Sequence, residues 1–117
     1  VDYEQLLEDK ELTPLQFEIL LFVSEAPRAI GDIADWFWLD RSTASRLLDR
    51  LLNDGWIMIS KDPNDKRRKL VSLLKTPDIL DSVNTLYASW RAIDTNANHI
   101  YGLGVVDLES QIVAQES

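Results

Sequence analysis

The chain has no cysteine and a single histidine, His99, in 117 residues. Without cysteine there is no disulfide, no thiolate metal site and no cysteine-based redox sensing. One histidine cannot build a histidine-rich metal site within one chain, so neither metal nor cofactor is expected. Long apolar runs are missing too. The longest, residues 19–23, falls far short of the roughly 20 residues that cross a bilayer as a helix. No secretory pattern opens the chain, so a soluble cytoplasmic protein with no membrane partner is expected. A start at Val1 instead of Met fits a trimmed chain. Catalytic patterns are also lacking: there is no glycine-rich phosphate loop, no HExxH and no nucleophile elbow, and the carboxylates are scattered. A non-enzyme is expected.

With 45% hydrophobic residues, this length suits one globular domain with a modest core. The net charge of −8 is unevenly spread. Residues 1–40 carry two Lys/Arg against ten Asp/Glu, and residues 78–117 carry one against six. Residues 41–77 reverse the sign, with nine Lys/Arg against four Asp/Glu, a net of +5. A cationic patch on an acidic chain calls for an anionic partner at that patch. Because charges beyond about 10 Å are largely screened at physiological salt, the overall acidity does not bar one face from DNA.

Residues 1–10 are acidic and weakly amphipathic, with Leu6 and Leu7 the only strong apolar pair. They read either as the end of a helix that docks on a partner or as a frayed terminus. Thr13-Pro14-Leu15-Gln16 is a helix start: Thr13 caps, Pro14 suits the first turn, and Gln16 completes a capping box. Ala26-Pro27 ends that helix. Residues 30–37 give a short second helix, poorly capped, with Ile33, Ala34 and Phe37 facing inward. Three aromatics in a row, Trp36-Phe37-Trp38, cannot all face one way. They either cap the core edge or form a contact surface for a partner subunit or aromatic ligand.

The third helix is the clearest. Asp40 is a good N-cap and Asn53-Asp54-Gly55 a good stop. Ala44, Leu47, Leu48, Leu51 and Leu52 form one apolar stripe. At about 100° per residue, the opposite face collects Ser42, Arg46, Asp49, Arg50 and Asn53, flanked by Thr43 and Ser45. Such a face is either solvated or suited to a major groove, where hydroxyls approach closely and Arg bonds guanine. Two strand-like runs follow, residues 56–60 and 70–74, enclosing turn formers and then Lys66-Arg67-Arg68-Lys69. Behind a recognition helix, a hairpin of this kind reads as a wing astride the DNA backbone, with one arginine in the minor groove.

Thr76-Pro77 opens a last long helix. Ile79, Val83, Leu86, Trp90, Ile93, Ala97 and Ile100 follow at heptad spacing, a seam read as a dimerisation helix, with purely intrachain packing the alternative. A second stripe of Leu80, Tyr87 and Tyr101 is interrupted by Asp94. Gly102-Leu103-Gly104 breaks the helix, and residues 105–114 form a last amphipathic segment. The expected fold is mainly α with a small β-hairpin: a winged helix-turn-helix plus a long dimerisation helix.

This order of elements, with the words ELTPLQFEILLFV, LDRSTASRLLDRLLNDGWI and DPNDKRRKLVSLL, resembles the MarR family of transcriptional regulators over about residues 11–117. The family's wing pattern is met by Asp65, Arg67, Val71 and Leu73. The resemblance implies one MarR-type domain, with a winged unit at 11–76 and dimerisation helices at 1–10 and 77–117. It implies a homodimer on a pseudo-palindromic site in double-stranded DNA. Ser42, Thr43, Ser45, Arg46 and Arg50 would face the major groove. Lys66, Arg67 and Arg68 would serve the wing, with Asp65 orienting Arg67. Ile79, Val83, Leu86, Trp90, Ile93 and Ile100 would pair the protomers. It further implies a ligand-responsive repressor, released by a small aromatic or phenolic effector between the dimerisation helices and the winged unit; Tyr87 and Trp90 either line that pocket or, more simply, are core or dimer contacts. The departures are Trp38 at a turn where the family commonly has a small or flexible residue, often Gly; Leu74 in place of the usual Thr, without the Gly that often follows; and short first and last dimerisation helices. Lack of cysteine removes the family's thiol-oxidation mechanism. The rival reading is a winged-helix protein–protein interaction module, which suits the acidity better and the cationic wing worse.

Overall fold

The computed structural model describes residues 2–93. Five helices and a small sheet follow one another: α1 (Tyr3–Asp9), α2 (Pro14–Glu25), β1 (Arg28–Ala29), α3 (Ile30–Trp36), α4 (Arg41–Asn53), β2 (Ile57–Lys61), β3 (Lys69–Leu73) and α5 (Pro77–Ile93). The sheet is antiparallel in the order β1–β3–β2. The expected two-stranded hairpin is therefore a three-stranded sheet, with Arg28 and Ala29 pairing to Val71 and Leu70. The hairpin also sits one residue later at its start than expected, because Trp56 is used to close α4 instead of opening a strand.

Helix α2 is the pillar of the core. The Thr13 hydroxyl accepts from the Gln16 backbone N–H at 3.1 Å, while the Gln16 side chain accepts from the Thr13 N–H at 2.9 Å. This reciprocal cap satisfies two of the donors that every helix start leaves open. Phe17, Ile19, Leu20, Leu21, Phe22 and Val23 are all buried, so the helix is wrapped on nearly every side, as its apolar breadth requires. Helices α1 and α5 clasp one end of it through edge-to-face rings. Tyr3 meets Phe17 at 6.0 Å, Phe17 meets Trp90 at 6.2 Å, and Trp90 meets Tyr87 at 6.1 Å. Residues 3–9 are helical and not frayed, and the surface on which Tyr3 and Leu7 are buried is the chain's own core, not a partner's.

Three helices end in the same way. In each, the second residue past the C-cap donates to a carbonyl five residues back, and the first donates three back: Leu12 to Leu7 and Glu11 to Glu8, Leu39 to Ala34 and Trp38 to Asp35, Trp56 to Leu51 and Gly55 to Leu52. This closure requires a left-handed residue at its first position. Gly55 takes φ 83° freely, whereas Glu11 and Trp38 are held there at φ 58°. A residue with a Cβ gives up about 1–2 kcal/mol in that conformation.

Burial on α5 departs from the expected seam. Leu80, Val83, Leu86, Tyr87 and Trp90 are the buried set, drawn from both apolar stripes. Val83, Leu86 and Trp90, read as pairing two protomers, are instead enclosed within the chain itself. Ile79 is half-buried, and only Ile93, 67% exposed, faces outward. The cause is position: α1 and α2 pack onto this side of the helix and take its apolar arc. Ala97, Ile100, Tyr101, the glycine break and the segment after it lie outside the described residues.

Candidate nucleic-acid interface

Helix α4 begins at Asp40, whose carboxylate accepts from the Thr43 backbone N–H at 2.7 Å and the Ser42 hydroxyl at 2.8 Å. The Thr43 N–H first, and then Ser42, hold this carboxyl below its ordinary pKa. Ala44, Leu48 and Leu51 anchor the helix in the core. Leu47 is only half-buried and Leu52 is 42% exposed, so the apolar stripe is narrower than its spacing suggests. Outward lie Ser42, Arg46, Asp49, Arg50 and Asn53, with Thr43 and Ser45 at the flanks.

The hydrogen bonds refine what this face offers. The Ser42 proton is committed to Asp40, so the hydroxyl presents lone pairs and is suited to accept from a base amino group. Arg46 lies 3.4 Å from the Thr43 hydroxyl, a loose contact that leaves the guanidinium free to turn. Arg50 pairs with Asp54 at 3.5 Å, one turn on, which partly neutralises it.

The wing tip is built by two aspartates. Asp62 accepts from the Asn64 N–H at 2.8 Å and Asp65 from the Arg67 N–H at 3.0 Å, local turns that replace missing strand pairing. Asp65 also receives Arg67 Nε at 3.3 Å, while the Arg67 side chain stays 92% exposed. Lys66 and Lys69 are exposed beside it. Arg68 is differently placed. It reaches across to Asp32 on α3 at 3.3 Å and lies 3.9 Å from Asp62, so its charge ties the wing to the helical body.

Between wing and helix runs a cleft of about 360 Å³, lined by Ala29, Gly31, Arg41, Ser45, Arg67 and Lys69 among others. Arg41 lies across the start of α3, where a Cβ on Gly31 would come within 2.8 Å of its Nη2. Arg41 is absent from the residues picked out on the sequence, because it precedes the face defined by the helical wheel. Lys69, named there as the last of the four wing cations, opens β3. The cleft brings Ser45 and Arg67 together. Thr43, Arg46 and Arg50 line a second cleft of about 400 Å³ on the other side of α4, against Glu11, Thr13 and Gln16.

Tyr87 and Trp90, expected beside an effector, are core residues joined edge to face. On the same helix the buried Asn84 Oδ1 accepts no hydrogen bond among the described residues. Also among the described residues, no helix is long and apolar enough to cross a membrane, and no group of His, Asp or Glu could hold a metal ion.

Comparison with known proteins sets this geometry in context. The MarR family model matches residues 12–69. A probable transcriptional regulator from Pseudomonas aeruginosa is 27% identical, with 98% of this chain and 88% of that one covered at a TM-score of 0.65. MepR of Staphylococcus aureus, solved as a DNA complex, is 20% identical, with 97% and 88% covered at a TM-score of 0.69. Reduced AbfR bound to DNA is 24% identical, with 79% of this chain and 66% of that one covered at a TM-score of 0.64. No curated protein matches the chain in sequence. The capped α2, the turn into α4 and the aspartate-built wing all fall inside the matched segment, and the chain belongs to the MarR family of transcriptional regulators.

Proposed function

We propose that this chain is a sequence-specific DNA-binding transcriptional regulator that acts as a homodimer on a pseudo-palindromic site and answers to a small aromatic or phenolic effector. The observation that carries the reading is the cleft between α4 and the wing. Arg41 and Ser45 from the helix stand opposite Arg67, Arg68 and Lys69 from the wing, so cations remote in sequence converge on one face of an acidic chain. The helix supplies Ser42, Thr43, Ser45, Arg46 and Arg50 to a major groove. Arg67, backed by Asp65, is placed for the adjoining minor groove, where negative potential is strongest when the groove is narrow. Lys66 takes backbone phosphate. Arg68 serves mainly to fix the wing through Asp32.

Two such units at fixed separation can read half-sites one helical turn, or about 34 Å, apart. The proposed pairing surface is the outer side of α1 and α5 with residues 94–117, including Ile79, Ile93 and Ile100. Val83, Leu86 and Trp90 support that surface from beneath. An effector near Tyr87 and Trp90 would enter by parting α1 from α5, which would couple its binding to the spacing of the two units. Tryptophan fluorescence across a panel of phenolic acids tests this part. Quenching is expected for at least one acid, and a flat response throughout counts against an effector of this class.

The experiment for the whole reading is duplex binding by wild type and Arg67→Ala, followed by fluorescence anisotropy. Arg67→Ala is expected to lose affinity while keeping its thermal melting point. Equal affinity in both proteins would remove the wing from the interface.

A further inference from the structure

Trp38 is the most exposed large apolar residue described, at 94%. Its neighbour Trp36 is accounted for: that ring stacks on Phe22 at 5.0 Å, and the guanidinium of Arg28 covers Phe22 at 4.1 Å. Among the described residues the Trp38 indole takes part in no ring contact, cation–π pair or side-chain hydrogen bond. It also stands at the left-handed closing position of α3, where Gly would fit without strain. The chain thus bears two costs at one residue, an unfavourable backbone conformation and a ring left in water. Strain of this sort clusters at binding sites, and the exposed ring is what sets Trp38 apart from Glu11, which closes α1 at the same φ.

Its position says what would be bound. Trp38 stands two residues ahead of the Asp40 cap, at the end of α4 that carries Arg41 and Ser42. Its charged neighbours along the chain are Asp35, whose carbonyl accepts the Trp38 backbone N–H, Asp40 and Arg41, and the last of these lines the cationic cleft with Arg67 and Lys69. An indole has a flat apolar face and one N–H that only donates. A duplex backbone offers the complement of both: deoxyribose faces for the ring, and phosphate oxygens that only accept.

We propose that Trp38 is a DNA-backbone contact, its ring against deoxyribose and its Nε1–H donated to a phosphate beside the groove that α4 enters. The proposal rests on the DNA reading above. It adds a neutral contact to the charged ones, placed to fix how far α4 enters the groove.

The test is anisotropy with a labelled mixed-sequence duplex over a range of salt, for wild type, Trp38→Gly, Trp38→Phe and Arg67→Ala. Trp38→Gly is expected to bind about tenfold more weakly, the scale of one hydrogen bond to a charged acceptor. Its log–log salt slope should match wild type, because no charge is removed. Arg67→Ala, in contrast, should lower the slope by about one contact. Trp38→Phe keeps a ring but no N–H and should fall between wild type and Trp38→Gly. Trp38→Gly should also raise the thermal melting point by relieving the backbone, which separates weaker binding from misfolding. Wild-type affinity in Trp38→Gly, alongside salt-sensitive binding by wild type, overturns the proposal and leaves the DNA reading intact. So does loss of self-association with DNA affinity unchanged. If wild type itself binds no duplex, the DNA reading fails, and the role of Trp38 fails with it.

Discussion

Arg67 is held at its backbone N–H and at Nε by one carboxylate, that of Asp65, which leaves both Nη nitrogens turned to solvent. Four cations stand in a row at the wing, yet they are not equivalent. Arg68 is bound back to Asp32, so Arg68→Ala should loosen the wing and lower thermal stability more than Arg67→Ala does, while removing less phosphate contact. A differential melt of the two variants reads this directly, and equal melting points would contradict it. Asp40 gives a prediction in pH. Its hydrogen bonds stabilise the carboxylate, so its folded pKa is depressed, and the stabilisation is complete above the unfolded value. It is lost as pH falls through the folded one. Asp40→Asn caps without titrating. The substitution should flatten part of the acid limb of a melting curve taken from about pH 5 to about pH 2. An unchanged limb would show that Asp40 adds no pH dependence.

At the scale of elements, α4 is the piece whose stability and function are most closely joined. Leu51 and Leu48 are buried against the core while Ser42 and Arg46 face out. Leu51→Ala should cost about 2–5 kcal/mol, read as a shift in denaturant midpoint. A shift within error would mean that the helix is not anchored as described. Much of this was legible in the chain. Caps, stops and the amphipathic wheel are local signals, and Thr13, Asp40 and Gly55 act where local chemistry put them. What escaped was non-local. A strand of two residues, Arg28 and Ala29, has no periodicity to detect and exists only because β3 lies beside it. The Arg68–Asp32 pair spans a separation that no motif covers. The α5 seam misled because apolar spacing gives the period of burial but not the partner. Leu86 fits a dimer seam and a core equally well, and only the placement of α1 and α2 decides between them.

At the scale of the molecule, the basic segment brings Arg41, Arg67, Arg68 and Lys69 to one cleft of an acidic chain, and that convergence is what a regulator with one anionic partner needs. The dimer belongs to this scale. Sedimentation at high concentration should give twice the chain mass, and Ile93→Asp should shift it towards the monomer without loss of helical signal. Leu86→Asp would unfold the chain, because Leu86 lies inside its own core. A wild-type monomer at every concentration would refute pairing. Binding of duplex DNA by the cationic face is read from the salt dependence of wild-type affinity for the duplex upstream of its gene. Each phosphate neutralised adds roughly −0.9 to the slope of log affinity against log salt, so five contacts, from Arg41, Arg46, Lys66, Arg67 and Lys69, predict about −4.5 per chain. No binding at low ionic strength, or binding indifferent to salt, would mean that this face is not a DNA-binding surface.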